Sequence, residues 1–213
     1  MFKILTLLLS ISFFESKKNK LINKIDSIIE YSIKEKAFPG AQILVLKDGE
    51  EVVNKNYGYH TYDSLIKVSR NSIYDLASIT KPTAGAIALM KLHENNLLDL
   101  NKPLSHYIKF FNKSRVGDVL IKDYLQHISG IRPWIPFHST TKKDDGQFKR
   151  KTLSYKQKRR YKIKLTDDLY LFNNFKKEIY NQIKKTYFVD SDTVLYSGLF
   201  FYLIPEIVEI QTN

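Results

Sequence analysis

Apolar residues at Leu21, Ile22, Ile25, Ile28, Ile29 and Ile33 recur at intervals of three and four, the spacing that lines one face of a helix. The pattern predicts an amphipathic helix from Leu21 to Lys36, ended by Phe38-Pro39-Gly40. The period then changes. Ala41 to Lys47 reads as a strand, Asp48-Gly49 as a tight turn and Glu51 to Tyr57 as the antiparallel partner, because Asp-Gly supplies the positive φ angles that two-residue hairpin loops demand. Ile79 to Asn95 returns to helical spacing, with Ala84, Ile87, Ala88 and Leu92 on the buried side. Leu97 to Ile108 reads as a short loop and helix, and Ile121 to Gln126 as the start of another helix, closed by Ser129-Gly130. Glycine and proline mark Gly130 to Gly146 as loop. Leu165 to Lys185 reads as mostly helical, and so does Tyr196 to Glu209, despite Gly198 and Pro205. Helices combined with an antiparallel hairpin predict a mixed α/β (α+β) fold.

Ahead of these elements, Met1-Phe2-Lys3 leads into an apolar run from Ile4 to Phe14. A short positive start and an apolar stretch of this length read as a signal peptide over residues 1–16. Phe14-Glu15-Ser16 is a poor cleavage site, so a retained membrane tether through residues 4–14 is the alternative, with a buried N-terminal helix as a third reading. The run is short for a bilayer span. The expected location is periplasmic or secreted, and residues 17–213 are expected to form one domain.

Composition changes this picture little. Hydrophobic residues at 43% and charged residues at 26% argue against disorder. The net charge of +12 is concentrated: Lys142 to Lys164 holds eleven Lys or Arg against two acids, Asp144 and Asp145. Such a run usually forms a solvated loop, and no nucleic-acid partner is expected, although a polyanion-binding role for residues 142–164 is a rival reading. The chain has no cysteine, which excludes disulfides and thiolate chemistry. Its histidines, at 60, 93, 106, 127 and 138, show no metal-ligand spacing, so no metal and no cofactor are expected.

Ser-x-x-Lys occurs three times, at Ser64/Lys67, Ser78/Lys81 and Ser139/Lys142, and is a weak pattern by itself. Only Ser78 opens a long apolar helix. Residues three apart share a helix face, so the Ser78 hydroxyl and the Lys81 amine can meet. The positive end of the helix would stabilise an alkoxide or an oxyanion, and burial there would favour a neutral, basic lysine. The bland reading is that Ser78 caps the helix and Lys81 is solvated.

The surroundings favour the chemical reading. Phe38-Pro39-Gly40-Ala41, Tyr57-Gly58-Tyr59, Tyr74-Asp75-Leu76-Ala77-Ser78-Ile79-Thr80-Lys81, Leu97-Leu98-Asp99-Leu100 and Leu125-Gln126-His127-Ile128-Ser129-Gly130-Ile131 together resemble the serine β-lactamase-related family, which covers class C β-lactamases, penicillin-binding proteins and related esterases. Gly58-Tyr59-His60-Thr61-Tyr62-Asp63 and Trp134-Ile135-Pro136-Phe137 are most similar to the version fused to some family 3 glycoside hydrolases, although no glycosidase domain is present. The resemblance implies a serine β-lactamase/transpeptidase-like fold, a helical subdomain plus an antiparallel sheet, incomplete at the C-terminus.

It also implies roles. Ser78 would be the nucleophile, Lys81 its activating partner and Tyr196, in Tyr196-Ser197-Gly198, the proton relay. Gly198 would occupy a substrate-binding position where the family carries Asn or Asp. The family's third element, a Lys-Thr-Gly or His-x-Gly strand, is not found before Asn213. His127 reads as a structural hydrogen-bonder, with a Ser78/His127/Asp167 triad as an unsupported alternative. The expected function is serine hydrolysis through an acyl-enzyme on an amide, β-lactam or ester, with a small-molecule or peptidoglycan-like substrate. The alternative is a non-catalytic peptidoglycan- or peptide-binding relative.

Overall fold

The computed structural model describes the backbone of residues 2–190 and 194–213, and the side chains from Lys18 onward. The chain divides into two compact units, one reaching to Asp75 and the other starting at Leu76.

In the first unit, helix α1 (Phe2–Lys34) precedes strands β1 (Gly40–Lys47) and β2 (Glu50–Gly58). The expected helix after Leu21 and the expected hairpin are both present. Residues 4–14 belong to α1, but their side chains lie outside the described residues, and among the described residues no helix is long and apolar enough to cross a membrane. Asp48 and Gly49 take φ angles of 53° and 82°, as the two-residue turn demands. Ile22, Ile25, Ile29 and Ile33 are half-buried while Leu21 and Ile28 are exposed, so the apolar stripe is narrower than its full set of residues. A polar trio adds to it: Asp26 accepts from Lys55 Nζ and from the Tyr57 hydroxyl, each at 2.7 Å. Burial, with the hydrogen bond to Asp26 and its charge, pushes the Tyr57 phenol up to about 12.

The Pro39-Gly40 and Tyr57-Gly58-Tyr59 segments have a joint reason. Gly40 pairs with Gly58 across the hairpin, and the Tyr59 N–H donates to the Pro39 carbonyl at 3.0 Å. A Cβ on Gly58, at φ 61°, would lie 2.2 Å from the Pro39 carbonyl oxygen, so only glycine fits this crossing.

The second unit is mostly helical. Helices α2 (Ile87–Glu94), α3 (Leu104–Tyr107), α4 (Arg115–Asp118), α5 (Ile121–Leu125), α6 (Phe175–Lys184) and α7 (Ile204–Thr212) share a core that includes Leu89, Leu104, Phe111, Ile121, Ile183 and Ile207, each 1% exposed or less. Tyr124 of α5 stacks on Phe200, with ring centroids 4.7 Å apart and planes 2° from parallel. Its hydroxyl donates to the Val116 carbonyl, as a buried phenol must.

Three expectations from periodicity are corrected. Ile79 to Asn95 is not one α-helix: Ala77–Ile79 is a 3₁₀ turn and Lys81–Ala86 a π-helix, and the α-helix begins only at Ile87. Pro82 explains the break, since it has no N–H to give the Ser78 carbonyl, and the Thr83 hydroxyl donates to the Ile79 carbonyl beside it. Leu165 to Lys185 is not mainly helical: an antiparallel sheet, β3 (Leu153–Ser154), β4 (Ile163–Thr166) and β5 (Leu169–Leu171) in the order β3-β5-β4, precedes α6. The basic stretch thus carries two of these strands and is not wholly loop. Tyr196 to Glu209 has no regular structure as far as Gly198, then passes through a 3₁₀ turn (Leu199–Tyr202) into α7. Proline stands in the first turn of α7, where its missing N–H costs nothing.

Candidate active site

Ser78 projects from the 3₁₀ turn. The Ile79 N–H closes that turn on the Leu76 carbonyl at 2.8 Å, and Ala77 sits at φ 43°, a left-handed conformation that costs a side-chain-bearing residue energy. Lys81 Nζ donates to Ser78 Oγ at 3.0 Å. The expected pairing is therefore present. The expected burial is not: Ser78 is exposed and Lys81 only half-buried, although Ser78 does stand in the first turn of a helical run that continues to Glu94.

Tyr196 arrives from far along the chain. Hydrogen bonding with Ser78 first and Lys81 second, and least the Lys81 charge, lowers its phenol below the ordinary value, against the opposing effect of burial. The lysine ammonium lies 5.5 Å from the centroid of the Tyr196 ring and 5.6 Å from that of Phe201, where ring quadrupoles favour a cation. Gly198 faces the same ammonium: a Cβ there would lie 3.5 Å from Lys81 Cε and 3.8 Å from Nζ. The site thus gathers a hydroxyl, an ammonium and a phenol of lowered pKa, which is a set able to move a proton off a serine.

The neighbouring segment holds Tyr196 in place. Residues 130–132 run alongside 187–189, with the Val189 N–H on the Gly130 carbonyl at 2.7 Å and the Arg132 N–H on the Tyr187 carbonyl at 3.3 Å. The Leu195 N–H donates to the His127 carbonyl at 2.8 Å and the Gly198 N–H to the Pro133 carbonyl at 3.0 Å. Ser197, 4% exposed, donates from Oγ to the Arg132 carbonyl at 2.8 Å. A cleft of about 880 Å³ opens beside Ser78, Lys81 and Tyr196, walled by Gly85, Trp134, Tyr202 and Val208 among others. This size and lining suit a small organic ligand.

The other candidates are not assembled. Ser139 Oγ donates to the Pro136 carbonyl, and Lys142 Nζ lies 5.9 Å from the Phe148 ring centroid. Asp167 pairs with Lys164 at 2.8 Å on the β4–β5 turn, and His127 uses Nδ1 to accept from the Ser197 N–H, so the triad reading has no geometric support. Among the described residues no group of three or more His, Asp or Glu could hold a metal ion. Phe201, which flanks the ammonium, was missed; one aromatic in the apolar stretch 199–204 carries no sequence signal of such a contact.

The family model described as Beta-lactamase matches residues 25–163, and the chain belongs to that family. It is 37% identical over 111 residues to Protein flp of Staphylococcus aureus (strain NCTC 8325 / PS 47), covering 51% of this chain and 22% of that protein. It is 33% identical over 158 residues to the N-acetylmuramyl-L-alanine amidase of Bacillus subtilis (strain 168), covering 67% of this chain and 35% of that protein. Among solved structures, the octameric penicillin-binding protein homologue from Pyrococcus abyssi superposes with a TM-score of 0.62 at 21% identity, over 90% of this chain and 39% of that one. The chain thus has the β-lactamase/transpeptidase-like fold, helices with antiparallel sheets, and spans well under half the length of each of these proteins.

Proposed function

We propose that the protein is a serine hydrolase that works through an acyl-enzyme on an amide, β-lactam or ester carbonyl. One observation carries this reading: Ser78 Oγ lies 3.0 Å from Lys81 Nζ, and that amine lies 5.5 Å from the centroid of the Tyr196 ring. In its ionised form Tyr196 takes the Ser78 proton as Oγ bonds to the substrate carbonyl carbon. The carbon–leaving-group bond then breaks, and the Tyr196 proton passes to the departing nitrogen or oxygen. Lys81 Nζ, donating to Ser78 Oγ, keeps the nucleophile aligned beside the phenolate. Water, activated by the same phenolate, cleaves the acyl–Ser78 bond and restores the hydroxyl.

A peptidoglycan-type amide agrees with the name of the amidase relative, and an extracytoplasmic site of action agrees with the reading of residues 4–14. A fluorophosphonate or penicillin probe tests the proposal: the expected result is a covalent adduct that peptide mapping places on Ser78. An unmodified Ser78, or an adduct that persists in Ser78→Ala, would sink it. Gly198 favours a second reading, a peptide-binding relative without turnover, because this position offers no side chain to hold a substrate. That reading predicts saturable binding of a wall peptide with no adduct.

A further inference from the structure

We infer that His127 is the positioning residue for Tyr196, bracing both of its chain neighbours through two different atoms. The inference rests on the proposed function in taking Tyr196 as the proton carrier. Leu195 and Ser197, which flank Tyr196, both direct their N–H groups at His127. The Leu195 N–H meets the His127 main-chain carbonyl at 2.8 Å. The Ser197 N–H meets His127 Nδ1 at 3.3 Å. The His127 ring then packs on the phenol ring itself, with centroids 4.6 Å apart and planes 47° from parallel.

One residue can offer its carbonyl and its ring to the same segment only if its backbone curls sharply. His127 does so, at φ 57° in the left-handed region. It stands two residues beyond the end of α5, whose Tyr124 is anchored in the core, and its own N–H closes on the Tyr124 carbonyl at 3.2 Å. A rigid base therefore holds the clamp. The clamp also fixes the protonation of the ring: Nδ1 can accept only when it is unprotonated, which puts the proton of the neutral ring on Nε2. Burial first, and the Lys81 charge second, both favour that neutral ring. A His127 that carried a proton on Nδ1 would lose the Ser197 contact and add a second cation beside Lys81.

The test compares His127→Asn with His127→Phe in the full chain. Asparagine tolerates the left-handed backbone and offers a side-chain acceptor at the same branch point, whereas phenylalanine keeps the ring contact and loses the acceptor. The Tyr196 phenol is followed by NMR of ¹³Cζ-labelled tyrosine, its resonance identified by its loss in Tyr196→Phe. Labelling of Ser78 by a fluorophosphonate is timed in the same samples. The expected result is labelling about 100-fold slower in His127→Phe and within about 3-fold of wild type in His127→Asn. The phenol should titrate below its ordinary range in wild type and His127→Asn, and return to that range in His127→Phe.

A folded His127→Phe protein with an unchanged phenol overturns the inference, and so does His127→Asn if it falls as far as His127→Phe. Should His127→Phe not fold, ¹⁵N–¹H correlation of the wild-type ring decides: an unprotonated Nδ1 with the proton on Nε2 supports the clamp, and a protonated Nδ1 overturns it. Failure of Ser78 to label in wild type would sink the hydrolase reading instead, and the phenol titration would still decide the role of His127.

Discussion

Ser78 and Lys81 stand on a segment, Ala77–Ala86, in which no residue is buried, whereas Tyr196 is followed at once by Ser197, at 4% exposure, and soon after by Leu199, at 0%. The first pair meets because its members stand three positions apart on one turn. The phenol meets them because residues 127, 132 and 133, far earlier in the chain, hold its segment by main-chain and side-chain hydrogen bonds. One half of the site is thus local chemistry on an exposed ledge, and the other depends on the core of the second unit. Damage to the core should therefore move the phenol and leave the serine–lysine contact in place.

The largest effect expected is in the local half. Ser78→Ala abolishes probe labelling at this residue, and Lys81→Ala slows it by about 10⁴-fold, measured by intact-protein mass spectrometry over time. Tyr196→Phe should follow at about 10²- to 10⁴-fold. Because its phenol is lowered by the bonds to Ser78 and Lys81, and the ionised form is the base, the labelling rate of wild type should rise with pH. It should level off below the ordinary tyrosine value of about 10. The Phe variant should lose that rising limb, and a rate independent of pH in wild type would remove the phenol from the mechanism.

Core substitutions test the dependence on packing. Leu199→Ala should lower unfolding stability by about 2–5 kcal/mol, read from the urea midpoint, and should slow labelling beyond what the unfolded fraction explains. An effect on stability alone would deny the link between core and phenol. Gly198→Asn should speed labelling about 10-fold, since one added hydrogen-bonding group beside Lys81 is worth about that much, and the φ of −91° at this position accepts any residue. The smallest effect belongs to Ile79, 58% exposed: Ile79→Ala should change stability by no more than about 0.5 kcal/mol.

The hairpin and the serine–lysine pair were legible because both are written locally. Alternation around Asp48-Gly49 sets the turn and the register, and a three-residue spacing sets the contact. Tyr196 could be picked out only through resemblance, since a tyrosine beside Ser197 and Gly198 has no local pattern that reveals its partners. The same non-local bonding takes the N–H groups of Ser197 and Gly198, so the helix that the apolar run suggested from Tyr196 does not start there. The break at Pro82 was written in the sequence, but its outcome as a π-helix depends on which donors reach the Ser78 and Ile79 carbonyls. Strands β3 and β4 were hidden because pairs such as Leu153-Ser154 are too short to show a period among so many lysines.

Gly85 gives the cleft an adjustable spacer. A methyl group there would come within 3.2 Å of both Phe201 Cδ1 and Ile204 Cδ1, side chains on the stretch that leads from Tyr196 into α7. The distance between the two banks of the cleft is thus set by a hydrogen where other residues carry carbon, and Gly85→Ala would act as a shim of one atom's thickness. Acceptance of bulkier or slimmer acyl groups could then be tuned from a position that bears no reactive atom.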